Sequence, residues 1–252
     1  MNYKYLFILF LVFLVGSNAV IAVPVQSTTS VYVSLRKCVA GETACDSIER
    51  THSNAIGGLP GSTDARASQK DPAYGESTGS SQLTGEPGAA RLTAVVKTMP
   101  GARNGSSNIT LQRYTNMSET IQTLIFDGTL IFDQTIPEEN AEFPPDGGGQ
   151  SGVVVEMELF SSKLDSFEAG NTAEENWAAF NTEEPDENQM LANATTDGMV
   201  MIVTGQGTKA LTMSIELKPG DSIWMFGLLQ VIAANGAVVD ASLDTRLTLA
   251  TD

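Results

Sequence analysis

Apolar and small polar residues alternate along many short segments of this chain, most clearly near its C-terminal end. In residues 210–217 every second residue is large and apolar: Leu211, Met213, Ile215 and Leu217. The residues between them are Ala, Thr, Ser and Glu. A period of two is typical of a strand with one buried and one solvated face. The pattern therefore predicts a half-buried β-strand here.

The next apolar stretch contains the pair Asn235-Gly236, which favours a type I′ hairpin because that turn needs φ > 0 at both central residues. Pairing Ala234 with Ala237 sets the register of the expected hairpin. One apolar face then lies in the core, formed by Trp224, Phe226, Leu228, Leu243 and Leu247. On the other face of the first strand are Met225, Leu229 and Val231, and we expect that mixed face to be solvated.

Two other turn signals leave alternatives open. Pro219-Gly220 is either a hairpin turn or an arch between two sheets, since a type II turn splays a tight hairpin. Thr-Leu-Ile-Phe-Asp occurs twice in residues 123–133, separated by Gly128. That repeat indicates either a hairpin with an Asp-Gly turn or one long strand with a glycine bulge.

Further strands are predicted at 31–36, 91–99, 108–114, 153–160 and 199–203. Residues 173–180 predict one or two helical turns, with Thr172 as the N-cap. The 23 glycines and 10 prolines supply many turns, and helix signals are few. We therefore expect an all-β fold, a single antiparallel β-sandwich of jelly-roll type.

Two segments depart from the strand pattern. Residues 1–22 have a basic residue, an apolar run and a small-residue cleavage site, which predicts a signal peptide and export to an extracellular or periplasmic location. The alternative is a membrane anchor, and after cleavage we expect no membrane span. Residues 51–87 are rich in Gly, Ser, Thr and Asp, so within the mature domain, residues 23–252, we expect a flexible polar insertion there.

The two cysteines, Cys38 and Cys45, lie close together in the sequence. In an exported protein such a pair predicts one local disulfide. Two cysteines and one histidine do not make a structural zinc site.

The formal net charge is −16, and it is unevenly distributed. Residues 23–113 contain nine basic and seven acidic residues, whereas residues 114–252 contain four basic and 23 acidic residues. An acidic surface repels nucleic acid and anionic lipid, so we expect no nucleic-acid partner.

No complete catalytic set is recognisable in the sequence. His52 is the only histidine, and it lies in the polar stretch. We expect no Ser-His-Asp triad around it. No P-loop or dinucleotide-binding fingerprint occurs in a strand-to-helix setting. Paired carboxylates are common, so glycosidase chemistry stays open. We assign no catalytic or cofactor-binding residues.

Calcium is the only cofactor that the sequence suggests, because it binds carboxylate and carbonyl oxygens from loops. The weak candidate ligands are Glu183, Glu184, Asp186 and Glu187. A second acidic cluster extends from Asp133 to Asp146. Neither has EF-hand spacing, and a solvated acidic loop is the alternative.

Four Asn-x-Ser/Thr sequons occur, at Asn104, Asn108, Asn116 and Asn193. They bear on glycosylation only in a eukaryotic secretory pathway, and a chain rich in Ser and Thr contains such triplets by chance.

The C-terminal pattern of Lys218-Pro-Gly-Asp221, an apolar strand, Asn235-Gly236 and Asp240-Ala-Ser-Leu resembles the last strands of exported bacterial β-sandwich ectodomains of the PEP-CTERM kind. The resemblance covers about 35 residues and implies location and fold. The sequence lacks the Pro-Glu-Pro sorting tail, so anchoring by that route is not implied.

These observations favour an exported non-enzymatic module over an enzyme. We expect it to bind an extracellular polymer or a cell-envelope component, or to have a structural role there. The alternatives are a secreted polysaccharide hydrolase and a calcium-dependent glycan-binding protein.

Overall fold

The computed structural model describes residues 26–37, 46–57, 62–137, 151–161, 190–195, 200–201 and 205–250. These ranges contain thirteen strands and no helix. The strands are β1 (Gln26–Lys37), β2 (Asp46–Gly57), β3 (Ser62–Asp71), β4 (Gly75–Thr84), β5 (Ala90–Thr98), β6 (Ala102–Thr115), β7 (Gln122–Thr135), β8 (Gly152–Ser161), β9 (Met190–Thr195), β10 (Val200–Met201), β11 (Gly205–Leu217), β12 (Ser222–Ala234) and β13 (Val238–Leu249).

Two antiparallel sheets pack face to face. Sheet A has the order β10-β8-β12-β6-β1-β2, with β9 also paired to β8. Sheet B has the order β11-β7-β13-β5-β4-β3. The prediction of an all-β antiparallel sandwich is confirmed. None of the described elements is an apolar helix that could cross a membrane.

Several predictions fall outside the described residues. They concern the signal peptide at 1–22, the disulfide of Cys38 and Cys45, the helical turns at 173–180 and the calcium candidates Glu183, Glu184, Asp186 and Glu187. All of them stay predictions.

The expected hairpin of β12 and β13 is wrong. β12 pairs with β6 and β8 in sheet A, and β13 pairs with β5 and β7 in sheet B. The turn itself forms, with φ of 49° at Asn235 and 86° at Gly236, and the Ala237 amide donates to the Ala234 carbonyl at 3.1 Å. The turn residues determine that the chain reverses here. Contacts with the rest of the chain determine which strands pair, and they place β12 and β13 in different sheets.

The link at Pro219-Gly220 also crosses between the sheets, since β11 lies in sheet B and β12 in sheet A. Of the two alternatives, the arch is therefore confirmed. Gly220 has φ of 80°, and the Asp221 amide donates to the Lys218 carbonyl at 3.1 Å. These are the features of a type II turn.

The main core lies between the sheets, and β12 contributes the face that we expected to be solvated. Met225, Leu229 and Val231 are at most 2 % exposed and belong to this core. Leu243 of β13 joins them, and Leu247 packs at the edge. Both faces of β12 carry buried apolar residues, so alternation alone could not tell which face meets sheet B.

The other face of β12 forms a second apolar cluster on the outer side of sheet A. Trp224 and Phe226 are buried there, and Leu228 is half-buried beside them. Their partners are Ile109, Leu111 and Phe160. Trp224 and Phe226 are thus buried as expected, but they do not share the cluster that contains Leu243.

The Thr-Leu-Ile-Phe-Asp repeat forms one continuous strand, β7, and its pairing to β11 and β13 has no shift at Gly128. The hairpin alternative is wrong, and no bulge forms. A Cβ atom at Gly128 would collide with the sulfur of Met157 in sheet A. The glycine therefore permits close approach of the two sheets.

The predicted flexible insertion at 51–87 is also wrong. Most of β2 and all of β3 and β4 lie within it. The inner face of β4 carries Ser77, Gly79 and Ser81, all buried. Small polar residues are typical of loops, which is why the sequence predicted no strand here. In the structure these residues of β4 face another polar strand.

That strand is β6, whose inner face we call the polar seam: Asn104, Ser106, Asn108, Thr110 and Gln112, all buried. Its two asparagines find partners inside the protein. Asn104 Nδ2 donates to the Tyr74 and Lys97 carbonyls at 2.9 and 2.8 Å, and Asn108 Nδ2 donates to the Leu229 carbonyl at 3.2 Å. Hydrogen bonding of this kind offsets the cost of burying polar groups.

Candidate functional site

A groove lies on the outer face of sheet A, where β1, β6 and β12 run side by side. It has a volume of about 250 Å³. Among its lining residues, six polar or charged side chains belong to this outer face: Tyr32, Ser34, Arg36, Arg103, Ser107 and Gln230. We call this feature the arginine groove.

The alternation of β1 places half of these side chains. Its apolar residues are fully buried on the inner face: Val31, Val33 and Leu35. Successive residues of a strand point to opposite faces. Tyr32, Ser34 and Arg36 therefore lie on the outer face, and each is only partly exposed or buried by its neighbours.

The register between β1 and β6 forms the basic end of the groove. Arg36 is directly opposite Arg103, and Ser34 is opposite Gly105. Directly opposed residues of an antiparallel pair share one face, with their Cβ atoms about 4.5–5.5 Å apart. Two guanidinium groups from different strands therefore enter the same end of the groove.

A neutral polar row forms the other end. Tyr32 is opposite Ser107, and Ser107 is opposite Gln230 on the other side. Gln230 Nε2 donates to Ser107 Oγ at 3.2 Å. This row is four residues along β1 from Arg36, a distance of about 13 Å at the usual rise per residue.

Gly105 forms the floor between the two ends. A Cβ atom there would have ordinary contacts, 3.5 Å from the Val231 carbonyl oxygen and 3.8 Å from Ser34 Oγ. No steric reason in the fold thus requires glycine at this position. What its missing side chain provides is open space between the basic end and the neutral row.

The two arginines have no neutralising partner among the described residues. The described ion pairs join Arg66 to Asp64, Lys70 to Glu76 and Arg91 to Asp244, all elsewhere. Burial, and then the charge of Arg36, lower the pKa of Arg103. Arginine nevertheless stays protonated at physiological pH, so the groove retains two like charges in one place.

This arrangement suits an oxyanion. A guanidinium presents a planar set of donors that matches carboxylate, sulfate or phosphate in a bidentate way. Ser34 and Ser107 add hydroxyl groups that both donate and accept. Since all these groups stand on strands of a sheet, the framework around a ligand would be rigid.

A second feature of the outer face is a carboxylate pair on β8. Glu156 and Glu158 are half-buried and two residues apart, so their Cβ atoms are separated by about 7 Å. Burial, and then the charge of Glu156, raise the pKa of Glu158 to about 7. Burial raises the pKa of Glu156 as well.

The surroundings of this pair do not form a sugar-binding platform. The residues opposite on β12 are Leu228 beside Glu156 and Phe226 beside Glu158. Phe226 is 2 % exposed and the neighbouring Trp224 is 3 % exposed. Their rings are therefore not available to stack on a polysaccharide.

A shallow groove on sheet B contains Asp133, opposite both Gln206 and Asp240. Gln206 Nε2 donates to Asp133 Oδ2 at 2.9 Å. Asp133 was part of the second acidic cluster considered for calcium, and the rest of that cluster lies outside the described residues. In the described ranges no three or more His, Cys, Asp or Glu residues are arranged to hold a metal ion.

The sequence did not point to the residues of the arginine groove. His52, the residue weighed for catalysis, lies on β2 opposite Tyr32. Two signals for the groove were present: the balanced charge of residues 23–113 and the polar residues alternating with Val31, Val33 and Leu35. Neither signal shows that Arg36 and Arg103 meet, because their pairing joins segments far apart in the chain.

Comparisons with known proteins identify no family. No family model matches the chain, and no curated protein matches it. Among solved structures, one similar chain is the enzymatically active domain of tailspike protein 4 of bacteriophage CBA120, at 9 % identity and a TM-score of 0.29, covering 74 % of this chain and 19 % of that one.

A second similar structure is that of the infectious bursal disease virus Gx strain, at 8 % identity and a TM-score of 0.21. The match covers 91 % of this chain and 58 % of that one. The chain thus spans less than two thirds of the length of either protein. Likeness at this level supports no functional argument.

Proposed function

We propose that this protein is an exported, non-enzymatic binding module and that the arginine groove holds an anionic group of its ligand. The observation that carries the proposal is the direct opposition of Arg36 and Arg103 without an acidic partner in the described part of the chain. Like charges at opposed positions destabilise a sheet. An anion bound between the two guanidinium groups would attract both of them and so offset their mutual repulsion.

The ligand would be an extracellular polymer or a component of the cell envelope. The basic groove is small against a net charge of −16, so nucleic acid would be repelled by the rest of the molecule. A ligand that presents one anionic group locally fits this charge distribution better.

The two alternatives have less support. For a secreted polysaccharide hydrolase, the pair Glu156 and Glu158 supplies two carboxylates, but the buried rings of Trp224 and Phe226 weigh against it. For calcium-dependent glycan binding, the candidate ligands lie outside the described residues.

The proposal predicts that small oxyanions bind to the mature chain, residues 23–252, and that binding depends on both arginines. Isothermal titration calorimetry with sodium sulfate and with sodium acetate, at constant ionic strength, measures this directly. We expect the double variant Arg36→Gln and Arg103→Gln to bind about 10- to 100-fold more weakly, the range for lost hydrogen bonds to charged groups.

Arg91→Gln is the matched control, because Arg91 lies on sheet B and pairs with Asp244 at 3.8 Å. It removes one positive charge outside the groove, as Arg36→Gln or Arg103→Gln does alone, and should leave anion binding unaltered. Equal losses in the control and in each groove variant would mean that only overall charge matters. No binding by the unaltered chain would refute the proposal.

A further inference from the structure

We infer that the ligand of the arginine groove is a saccharide with a single carboxylate, a sugar acid, bound with its ring above Gly105. The inference rests on the proposed function and adds the chemical class of the ligand. Its basis is the division of the groove into a charged end, an open floor and a neutral polar end.

The charged end accounts for the carboxylate. Arg36 and Arg103 enter from opposite strands, so one carboxylate between them can accept hydrogen bonds from both guanidinium groups. No other described cationic side chain lines the groove. The two guanidinium groups at this end together provide for one anionic group.

The neutral end accounts for hydroxyl groups. Ser107 and Gln230 already contact each other at 3.2 Å and have hydrogen-bonding capacity left. Tyr32 adds an aromatic ring with a phenolic hydroxyl at the same level of the sheet. An apolar ring face edged by hydrogen-bonding groups is the chemical character of a sugar, and Tyr is suited to such mixed contacts.

The size of the groove limits the ligand. Its volume of about 250 Å³ lies just below the ~300–1,000 Å³ that drug-sized ligands occupy. One ring with its carboxylate fits this space. The two ends are about 13 Å apart. With its carboxylate at the arginines, the sugar ring would lie between Arg36 and Tyr32, directly over Gly105.

Overall charge argues against a polyanion as the ligand. With 30 acidic and 14 basic residues, the surface beyond the groove repels further negative groups at distances within the Debye length. A sugar acid at a chain end, or one flanked by neutral sugars, avoids that repulsion.

The test is calorimetry of the mature chain with four probes: glucuronate, glucose, acetate and sulfate. Glucuronate should bind about tenfold more tightly than acetate, a difference of about 1.4 kcal/mol, and glucose should bind more weakly than glucuronate by at least as much. The Gly105→Val variant should lose this preference for glucuronate but keep its affinity for acetate, because both arginines remain.

Gly205→Val is the matched control. Among the described residues, no heavy atom lies within 4 Å of a Cβ position at Gly205, which lies on β11 in sheet B. This variant should bind glucuronate like the unaltered chain, and thermal melts of both valine variants check that they are folded.

The outcomes separate the two proposals. Equal affinity for glucuronate and acetate, or full glucuronate preference in Gly105→Val, overturns the sugar-acid inference and leaves anion binding intact. Tighter binding of sulfate than of glucuronate assigns the groove to small inorganic anions instead. Failure of every anion to bind removes the proposed function as well.

Discussion

Three asparagines in sequons illustrate how burial changes the meaning of a motif. Asn104, Asn108 and Asn116 are at most 1 % exposed. Asn116 Nδ2 donates to the Leu217 carbonyl at 2.8 Å, and its Oδ1 accepts from the Ser118 amide at 2.9 Å. These side chains satisfy backbone groups in the interior, which requires the unmodified amide.

We predict that the folded protein carries no glycan at these three positions when it is made in a eukaryotic secretory host. A glycan on a fully buried amide nitrogen would displace its hydrogen-bond partners and could not fit between the sheets. Peptide mapping of the purified, folded protein by mass spectrometry tests this. A glycosylated Asn108 in protein with a native melting transition would contradict the burial.

At the same scale, the raised pKa of Glu158 predicts a pH dependence of stability. The unfolded chain ionises this carboxyl near pH 4.5, whereas the folded chain holds its proton up to about pH 7. Between these values the folded state binds more protons, so the free energy of unfolding falls as the pH rises. Above pH 7 both states are ionised and the loss is complete.

We therefore predict that Glu158→Gln is more stable than the unaltered chain at pH 8 and about equally stable at pH 4. The gain at pH 8 should be about 1–2 kcal/mol, because the partly solvated carboxyl is screened below the full value of its pKa shift. Urea denaturation at both pH values measures it. The exposed Glu119 provides the control for the change of charge. Glu119→Gln removes the same charge from the surface, and the same gain at pH 8 in both variants would contradict the assignment.

Among the elements, β4 is the strand that its own residues predict least well. Its residues are Gly, Ser, Thr, Gln, Glu and Leu, a composition that indicates a loop. In the structure Gly79 faces Asn108 and Ser106 of the polar seam and Val31 of β1. A small residue is needed because the backbone of β4 approaches the side chains of sheet A closely.

We predict that Gly79→Ala destabilises the protein by about 1–3 kcal/mol, the usual cost of overpacking an interior. Its Cβ atom would collide with Ser106 and Asn108 and disturb their hydrogen bonds. Gly205→Ala, where a Cβ atom has free space, should change stability by a few tenths of a kcal/mol at most. The midpoint of urea unfolding compares the two, and equal midpoints would show that the sheets are further apart than in this structure.

For the molecule as a whole, the amino-acid sequence was sufficient for the fold class. Alternation in segments such as residues 211–217, together with frequent Gly and Pro, requires strands with one buried face, and two sheets packed together bury such faces. Turn positions were also predictable, as Asn235 shows, because φ > 0 depends on the turn residues themselves.

Strand partners and the faces of central strands depended on the tertiary structure. β12 is apolar on both faces, so its own residues do not distinguish Met225, which meets sheet B, from Phe226, which lies on the outer side. The arginine groove arises in the same way: Arg36 and Arg103 are 67 positions apart, and only the pairing of β1 with β6 brings them together. Turns and alternation are local properties of the chain, whereas strand pairing is decided by which non-local contacts bury the most surface and satisfy the most backbone groups.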